Sequence, residues 1–344
     1  MQRTPTLPIG ILDEHPYWSD RLLAELRRRG LPFEKIDASD HAFFPGARES
    51  RYSVLVNRVS PSAHTRGHAS SLFYALQTLT YFEDIGTPII NPPASYRYEA
   101  SKTAQALLME RLGLPYPRCA VLNQPGRILE LLLGFRFPVI IKPNVGGSGA
   151  GIVRFDRPED LEEAVKRKAL TLGPDGTALL QEYLESEDGS IIRVEVLGGE
   201  FLYAIRIAVD PVAGFNFCPA DLCLAEGQGE APTQAAPGWC PADVSPAVVR
   251  KVERFDPPPS VIRDVLRLTR AAHIDVGGVE YLRSKRDGRL YYYDINALSN
   301  FVADAPALLG FDPTERFADF ILAVATGAAE PVSRAAARTP PSSP

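Results

Sequence analysis

The stretch FPVIIKPNVGGSGAGIVRFD, residues 137–156, decides how this chain is read. It opens on an apolar run that ends at Lys142 and Pro143, passes four glycines within residues 146–151, and returns through IVRFD. Two short apolar runs about a glycine-rich turn predict an antiparallel hairpin. Gly146, Gly147, Ser148 and Gly149 form a loop nearly bare of side chains, and backbone N–H groups exposed in this way can lie over phosphate oxygens. Lys142 ends a run that reads as buried, and a buried lysine needs an anionic partner, which a phosphate supplies. The order differs from better-known phosphate loops. Ile152 stands where G-x-G-x-x-G needs its last glycine, and no lysine follows as in G-x-x-x-x-G-K. A protein kinase places its glycine loop before its lysine, not after it. The alternative is a flexible surface hairpin whose lysine reaches water.

Upstream, strands and helices alternate. LPIGILD, LPFEKID, YSVLVNRV and TPIINPP read as strands, with helices over residues 18–29 and LFYALQTLTYFEDIG. This order predicts a small open parallel sheet over residues 1–97, with Asn57, Arg58 and Ser60 beyond a strand's carboxyl end, where such sheets bind ligands. Residues 98–112 read as one helix that Gly113 stops, and RCAVL, ILELLLG, PEDLEEAVKRKAL and ALLQEYL as strand, helix, helix and strand, closing a second unit at 182. A third unit, 183–328, holds the hairpin SIIRVEVLGGEFLYAIRIAV about Gly198-Gly199, a long loop over 225–260, the helix SVIRDVLRLTRAAH, a second hairpin ending in YYYDIN, and the helix PTERFADFILAVATG. Residues 329–344 read as a disordered tail. The fold class is α/β, with α+β character in the second and third units.

Asp294 and Asn296 are two apart on a strand and therefore share a face. A three-residue turn at Arg286-Asp287-Gly288 pairs Glu280 opposite Asp294, and two facing acids repel unless a cation lies between them. A carboxylate pair with an amide oxygen suits a hard cation such as Mg2+; a solvated strand face is the alternative. Arg193 and Arg206, paired about Gly198-Gly199, can face one cleft and fork onto carboxylate or phosphate oxygens, or else form ordinary ion pairs with Glu182, Glu185 or Glu195. Gln181, Glu182, Tyr183 and Leu184 link two units, and free backbone groups there can bond a base edge. His64 and His68 are spaced for a metal, but Gly67 weakens any helix between them.

Composition removes whole classes of function. The chain has 344 residues, 37 basic against 42 acidic, and a net charge of −5, which is not the basic excess of a nucleic-acid binder. Its four cysteines (Cys119, Cys218, Cys223, Cys240) contain no C-x-x-C pair and are too few for a disulfide scaffold. No run is long enough to span a membrane and the first residues do not read as a signal peptide, so the expected setting is the cytoplasm. No G-x-S-x-G or cysteine–histidine arrangement supports a hydrolase triad.

In order, these pieces resemble the ATP-grasp superfamily, in its RimK and glutathione-synthetase-type branch of carboxylate–amine ligases. The resemblance covers about residues 50–325 and rests on an NRVSPSA loop, NPPASYRYEASKTAQALLMERLGLPYPR, FPVIIKPNVGGSGAG, LLQEYL, IIRVEVLGG and GGVEYL…YYYDIN. It implies ATP and two Mg2+ ions, with Mn2+ able to substitute. Lys102 and Lys142 correspond to the phosphate lysines, residues 146–151 to the flap, and Gln181–Leu184 to the adenine hinge. Glu280, Asp294 and Asn296 correspond to the metal triad, and Arg193 and Arg206 to arginines at the transferred phosphate and acyl group. The implied reaction is ADP-forming ligation of a small-molecule or peptide carboxylate to an amine, in a dimer or tetramer, without nucleic acid or membrane. A phosphotransferase without amide formation, or a non-catalytic ATP-binding regulator, are the alternatives. Two positions depart from the pattern. Ile191 replaces the usual ribose acid, leaving Glu185, Glu187 or Asp188 for that contact. GFNFCPADLC replaces the substrate loop, keeping only Phe215-Asn216.

Overall fold

The computed structural model describes residues 5–147, 149–209, 215 and 251–334. β1 (Ile9–Asp13), α1 (Asp20–Arg28), β2 (Phe33–Asp37), β3 (Val54–Asn57), α2 (Ala69–Asp84) and β4 (Ile89–Ile90) build a parallel sheet in the order β2-β1-β3-β4. Helices cover both faces. Ile9, Ile11, Val54 and Val56 share a core with Leu22, Leu23 and Leu26 of α1. Leu12 and Leu55 share another with Ala75, Leu79 and Phe82 of α2. Burial on both faces is why these strands read as unbroken apolar runs.

The second sheet is antiparallel: β5 (Cys119–Leu122), β6 (Val139–Pro143), β7 (Val153–Phe155) and β8 (Ala178–Glu182), in the order β5-β8-β6-β7. Val139 and Ile141 face a core with Leu161, Ala164 and Leu180. The period of two sends Ile140 and Lys142 to the other face, where they line a cleft. The third sheet holds β9 (Ser190–Leu197), β10 (Glu200–Ala208), β11 (Val252–Arg254), β12 (Val276–Arg283) and β13 (Leu290–Asn296), in the order β11-β10-β9-β12-β13. Gly198 and Gly199, at φ 60° and 82°, form the two-residue turn of the β9–β10 hairpin.

Four expectations change. The helix expected over 98–112 is two helices, α3 (Pro93–Glu99) and α4 (Lys102–Arg111). Ser101 breaks them apart: its backbone is extended and its side chain caps α4 by accepting from Ala104 N. Within the stretch read as loop, Val252–Arg254 is a strand, paired with β10; residues 216–250 lie outside the described residues. The turn between β12 and β13 is wider than residues 286–288. The strands end at Arg283 and Leu290, and a bulge at Tyr293 restores the Glu280–Asp294 pairing. The tail is held further along than expected: Val332 is buried and its N–H donates to Asp275 Oδ1 at 2.6 Å, while residues 335–344 lie outside the described residues.

Asn91, directly after β4, ties the first sheet to the third. Its Oδ1 accepts from Asp275 N at 2.9 Å and Val276 N at 3.2 Å, and its Nδ2 donates to Val276 O at 2.8 Å and to Ala297 O. All of this is buried, so Asn91→Ala strands several polar groups at once, each worth about 1–3 kcal/mol. The expected result in denaturant titration is a loss of about 3 kcal/mol or more; an unchanged midpoint contradicts this role.

Candidate active site

Three charged residues lie in one row across the third sheet. Arg193 on β9 pairs directly with Glu280 on β12, which pairs directly with Asp294 on β13. The next row on that face is Glu195, Gly278 and Asn296. Gly278 is required there. A Cβ at that position would stand 2.8 Å from Arg193 Nε and 2.9 Å from Glu195 Oε1. Its absence lets the guanidinium lie across the rows, with Nε 2.6 Å from Glu195 Oε1 and Nη1 3.2 Å from Glu280 Oε1.

Two lysines from other elements meet the far end of the row. Lys102, in the first turn of α4, reaches Asp294 Oδ1 at 2.5 Å, and Lys142, on β6, reaches the same oxygen at 3.2 Å. All five side chains are largely buried. Burial alone would raise the Asp294 carboxyl, but Lys102 and Lys142 overcome it and hold it down to about 2. For Glu280 the balance is reversed: burial and the Asp294 charge push its carboxyl up, against Arg193, Tyr293 and Lys102. Burial would lower Lys102, yet Asp294 and Glu99 raise it, whereas Lys142 stays lowered by burial despite Asp294. The two lysines are thus held in unequal fields by one carboxylate.

Glu280, Asp294 and Asn296 fit a hard cation. The Asn296 amide nitrogen lies 3.4 Å from Glu280 Oε1 and 3.3 Å from Asp294 Oδ2. Turning that amide over presents its oxygen instead, giving three oxygen donors on one face. Among the described residues no cluster of three histidine, cysteine or acidic side chains is arranged for a metal, so the candidate is this mixed carboxylate–amide set.

The charged row opens into a cleft between the second and third sheets. Gly146, Gly147 and Gly149 of the flap line it with Ile140, Lys142 and Gln181–Leu184; Ser148 lies outside the described residues. The flap meets the first unit, since a Cβ on Gly147 would stand 3.6 Å from Ser62 Cβ, and Val145 packs with Ala63 and Leu72. At the hinge, Glu182 N donates to Arg118 O and Tyr183 N to Pro138 O, both at 2.9 Å. The Leu184 N–H meets no acceptor among the described residues.

Arg206 is a correction. A two-residue turn alone places Arg193 and Arg206 on one face. A bulge at Leu202 shifts the register, so that Arg193 pairs with Ile205 and Arg206 with Ile192. Arg206 therefore points away from the cleft, over the Phe255 ring at 4.6 Å and 3.5 Å from Glu253. The ribose candidates also lie elsewhere. Ile191 and Ser186 line the cleft, whereas Glu185 stands 3.7 Å from both Arg154 and Lys285, Glu187 stands 3.7 Å from Arg283, and Asp188 bonds Ser186 and Ser190. His64 and His68 do not converge: His64 Nδ1 bonds Pro61 O and His68 Nδ1 bonds Glu14. Asn57 turns inward to Val59 N, Arg58 reaches Ser299 and Asn300, and Ser60 lines the cleft. Asn216, Cys218, Cys223 and Cys240 lie outside the described residues, and Cys119 is a free thiol.

Sequence reasoning missed Glu99, Ser299 and Asn300, and offered Glu195 only as one of three ordinary ion-pair partners for the arginines; the structure pairs it with Arg193. Glu195 is fully buried beside Arg193. The R-x-E spacing on a strand was the available signal, because residues two apart share a face. Glu99 ends α3 and gives a carboxylate oxygen to Ala297 N just past β13.

No family model matches the chain. It is 29% identical over 164 residues to a probable alpha-L-glutamate ligase 2 of Pseudoalteromonas atlantica, a match covering 47% of this chain and 51% of that relative. The chain thus spans about half the length of that curated relative. In three dimensions it superimposes on the ATP-grasp ligase PsnB, solved with a minimal precursor, with a TM-score of 0.63 and 18% identity over 92% of this chain and 99% of that one. A RimK domain ATP-grasp protein from Sphaerobacter thermophilus gives 0.61 at 15% identity over 91% and 98%. The chain has the ATP-grasp fold. In sequence it is similar to the RimK-type glutamate ligases.

Glu99 sets a pH signature. Burial pushes its carboxyl up to about 7, against the pull of Lys102 and the Ala297 N–H. Between about pH 4.5 and 7 the folded chain keeps a proton that the unfolded chain has released. Stability therefore falls as pH rises through that window, by about 1.4 kcal/mol per pH unit for one such proton. Glu99→Gln, which keeps an oxygen for Ala297 N, should flatten the slope of unfolding free energy against pH; an unaltered slope contradicts the assignment.

Proposed function

We propose that this chain is an ADP-forming carboxylate–amine ligase. The observation that carries the proposal is the buried row Arg193–Glu280–Asp294, closed by Lys102 and Lys142 on a single Asp294 oxygen and roofed by the glycine flap. ATP fits the cleft between the second and third sheets. Ile140, Leu184 and Leu282 offer apolar walls for adenine, and the Leu184 N–H offers a donor to its edge. Ile191 and Ser186 border the ribose position. The flap N–H groups and the two lysines take the phosphates, exchanging Asp294 oxygen for phosphate oxygen as they do so. Glu280, Asp294 and Asn296 would hold Mg2+, two ions in the full reading with Mn2+ as a substitute, and bound metal would offset charge on the phosphate oxygens.

The chain's own residues then act by position and charge. Arg193, braced by Glu195 and Ser299, faces the oxygen that receives the phosphoryl group. A substrate carboxylate attacks the γ-phosphorus, ADP leaves, and an acyl phosphate forms. The flap, resting on Ser62, keeps water from that intermediate. An amine attacks the acyl carbon, phosphate departs with the bonding pair, and an amide remains. No covalent enzyme nucleophile is needed. The three units read from sequence (1–97, 98–182, 183–328), a cytoplasmic setting and a dimer or tetramer complete the reading. Among the described residues no helix is long and apolar enough to cross a membrane.

Hydroxylamine intercepts an acyl phosphate whatever the natural amine. Protein, ATP and Mg2+ incubated with hydroxylamine and a panel of amino acids, short peptides and small acids should release ADP and hydroxamate together for one acid. Lys142→Ala should lower both at least about a hundredfold. ADP without hydroxamate from any acid would replace this reading by phosphoryl transfer.

A further inference from the structure

The first unit supplies one short part of the cleft wall: Trp18, Ser60 and Pro61. The apolar walls at Ile140, Leu184 and Leu282 belong to the other two units. A nucleotide whose base lies on those walls turns its terminal phosphate toward the first unit. The flap makes the same junction. A Cβ on Gly147 would stand 3.6 Å from Ser62 Cβ and 4.0 Å from Pro61 Cγ, and one on Gly146 would stand 3.9 Å from His64 Cε1. The turn Pro61–Arg66 therefore stands against the glycines assigned to the phosphates.

The hydrogen bonds of this turn leave one proton over. The hydroxyl oxygens of Ser60 and Ser62 are 2.8 Å apart, and Ser62 N donates to Ser60 Oγ at 3.2 Å. Arg66 Nη1 donates to Ser62 Oγ at 3.2 Å, and Arg66 is itself fixed on Glu14 through Nε at 3.2 Å and Nη2 at 2.7 Å. Two hydroxyls that share one hydrogen bond keep one proton unused. The guanidinium decides which. A hydroxyl that accepts from a cation becomes the stronger donor, so Ser62 donates to Ser60. Ser60 Oγ then accepts from both Ser62 N and Ser62 Oγ, which fills its two lone pairs. Its own proton meets no acceptor among the described residues. Ser60 is 5% exposed and lines the cleft, whereas Ser62 does not. A buried hydroxyl proton needs an acceptor, and the cleft is the space that can hold one.

We propose that the Ser60 hydroxyl donates a hydrogen bond to an oxygen of the γ-phosphoryl group of bound ATP. This makes Ser60 a catalytic residue supplied by the first unit, with Ser62 and Arg66 as the positioning residues behind it. The proposal rests on the ligase reading and deepens it by naming a phosphate contact outside the lysines, the flap and the acid row. Ser60 gives a hydrogen bond and no proton, and it is neither acylated nor phosphorylated. The bond forms only with a nucleotide that carries a third phosphate, and it holds while that group passes to the carboxylate. A donor aimed by Glu14, Arg66 and Ser62 before the nucleotide arrives needs no reorganisation when charge shifts over the phosphoryl oxygens.

The test compares two nucleotides that differ by one phosphate, the non-hydrolysable analogue AMPPNP and ADP, each titrated with Mg2+ by calorimetry. Ser60→Ala should weaken AMPPNP at least about tenfold and ADP by less than about threefold. Ser60→Thr keeps both the hydroxyl and the acceptor for Ser62 N, and it should hold both affinities within about threefold of the parent. Ser62→Ala leaves Ser60 its hydroxyl but no longer directs its proton; AMPPNP should weaken about threefold or more, with ADP unchanged. A loss shared equally by the two nucleotides in Ser60→Ala would mark a structural role and overturn the proposal, as would AMPPNP binding that matches the parent. Ser62→Ala that binds AMPPNP like the parent would overturn the positioning chain. With ADP still bound by the parent, any of these results leaves the ligase reading standing. If the folded parent binds neither nucleotide, the ligase reading falls and the Ser60 assignment falls with it.

Discussion

One Asp294 oxygen, shared by Lys102 and Lys142, holds the molecule's working parts in place. The lysines arrive from a helix start and from the second sheet, and the carboxylate sits at the edge of the third. Removing such ions from water carries a penalty of several kcal/mol each, and mutual attraction offsets it only when every partner is present. The rest of the site follows from that demand. Glu280 must be balanced by Arg193, Arg193 by Glu195, and the guanidinium can lie over the sheet only because residue 278 has no side chain. Loss of any one member leaves an uncompensated buried charge, so the cluster ties α4 and the second sheet to the third.

On the proposed ligase reading, the same arrangement prepares the cleft for a polyphosphate. Two ammonium groups that share a carboxylate oxygen can take phosphate oxygens without first leaving water. The acids they release are already paired across β12 and β13 and offered to a cation. The asymmetry between the two acids belongs to this design. Asp294, bonded by both lysines, is held low, while Glu280, paired with Arg193, is pushed up by burial and by the Asp294 charge. A divalent cation held between them would remove that mutual repulsion.

Much of this was legible in the sequence because period and turn chemistry are local. The alternation in VIIKP put Lys142 on the face opposite Ile141, and the spacing of Asp294 and Asn296 put both on one face. The Glu280–Asp294 pairing was anticipated, though from a turn the chain does not make; a bulge at Tyr293 sets it instead. Arg206 failed for the converse reason. One extra residue at Leu202 reverses which face an arginine occupies, and nothing in AIRIAV announces it. Ser101 was readable as a cap, yet the apolar pattern running through it favoured one helix. Arg58 and Asn300 lie 242 residues apart, and only the packing of the first unit against the chain after β13 brings them together.

The most direct measurement is calorimetric titration of ADP into the wild-type protein and an Asp294→Asn variant, each with and without Mg2+. If the acid row is a cation site that works with the lysines on phosphate, Mg2+ should strengthen ADP binding to the wild type at least about tenfold, and Asp294→Asn should abolish that gain. Binding of ADP that is indifferent to Mg2+ in the wild type, or no binding at all by folded protein, would contradict the account.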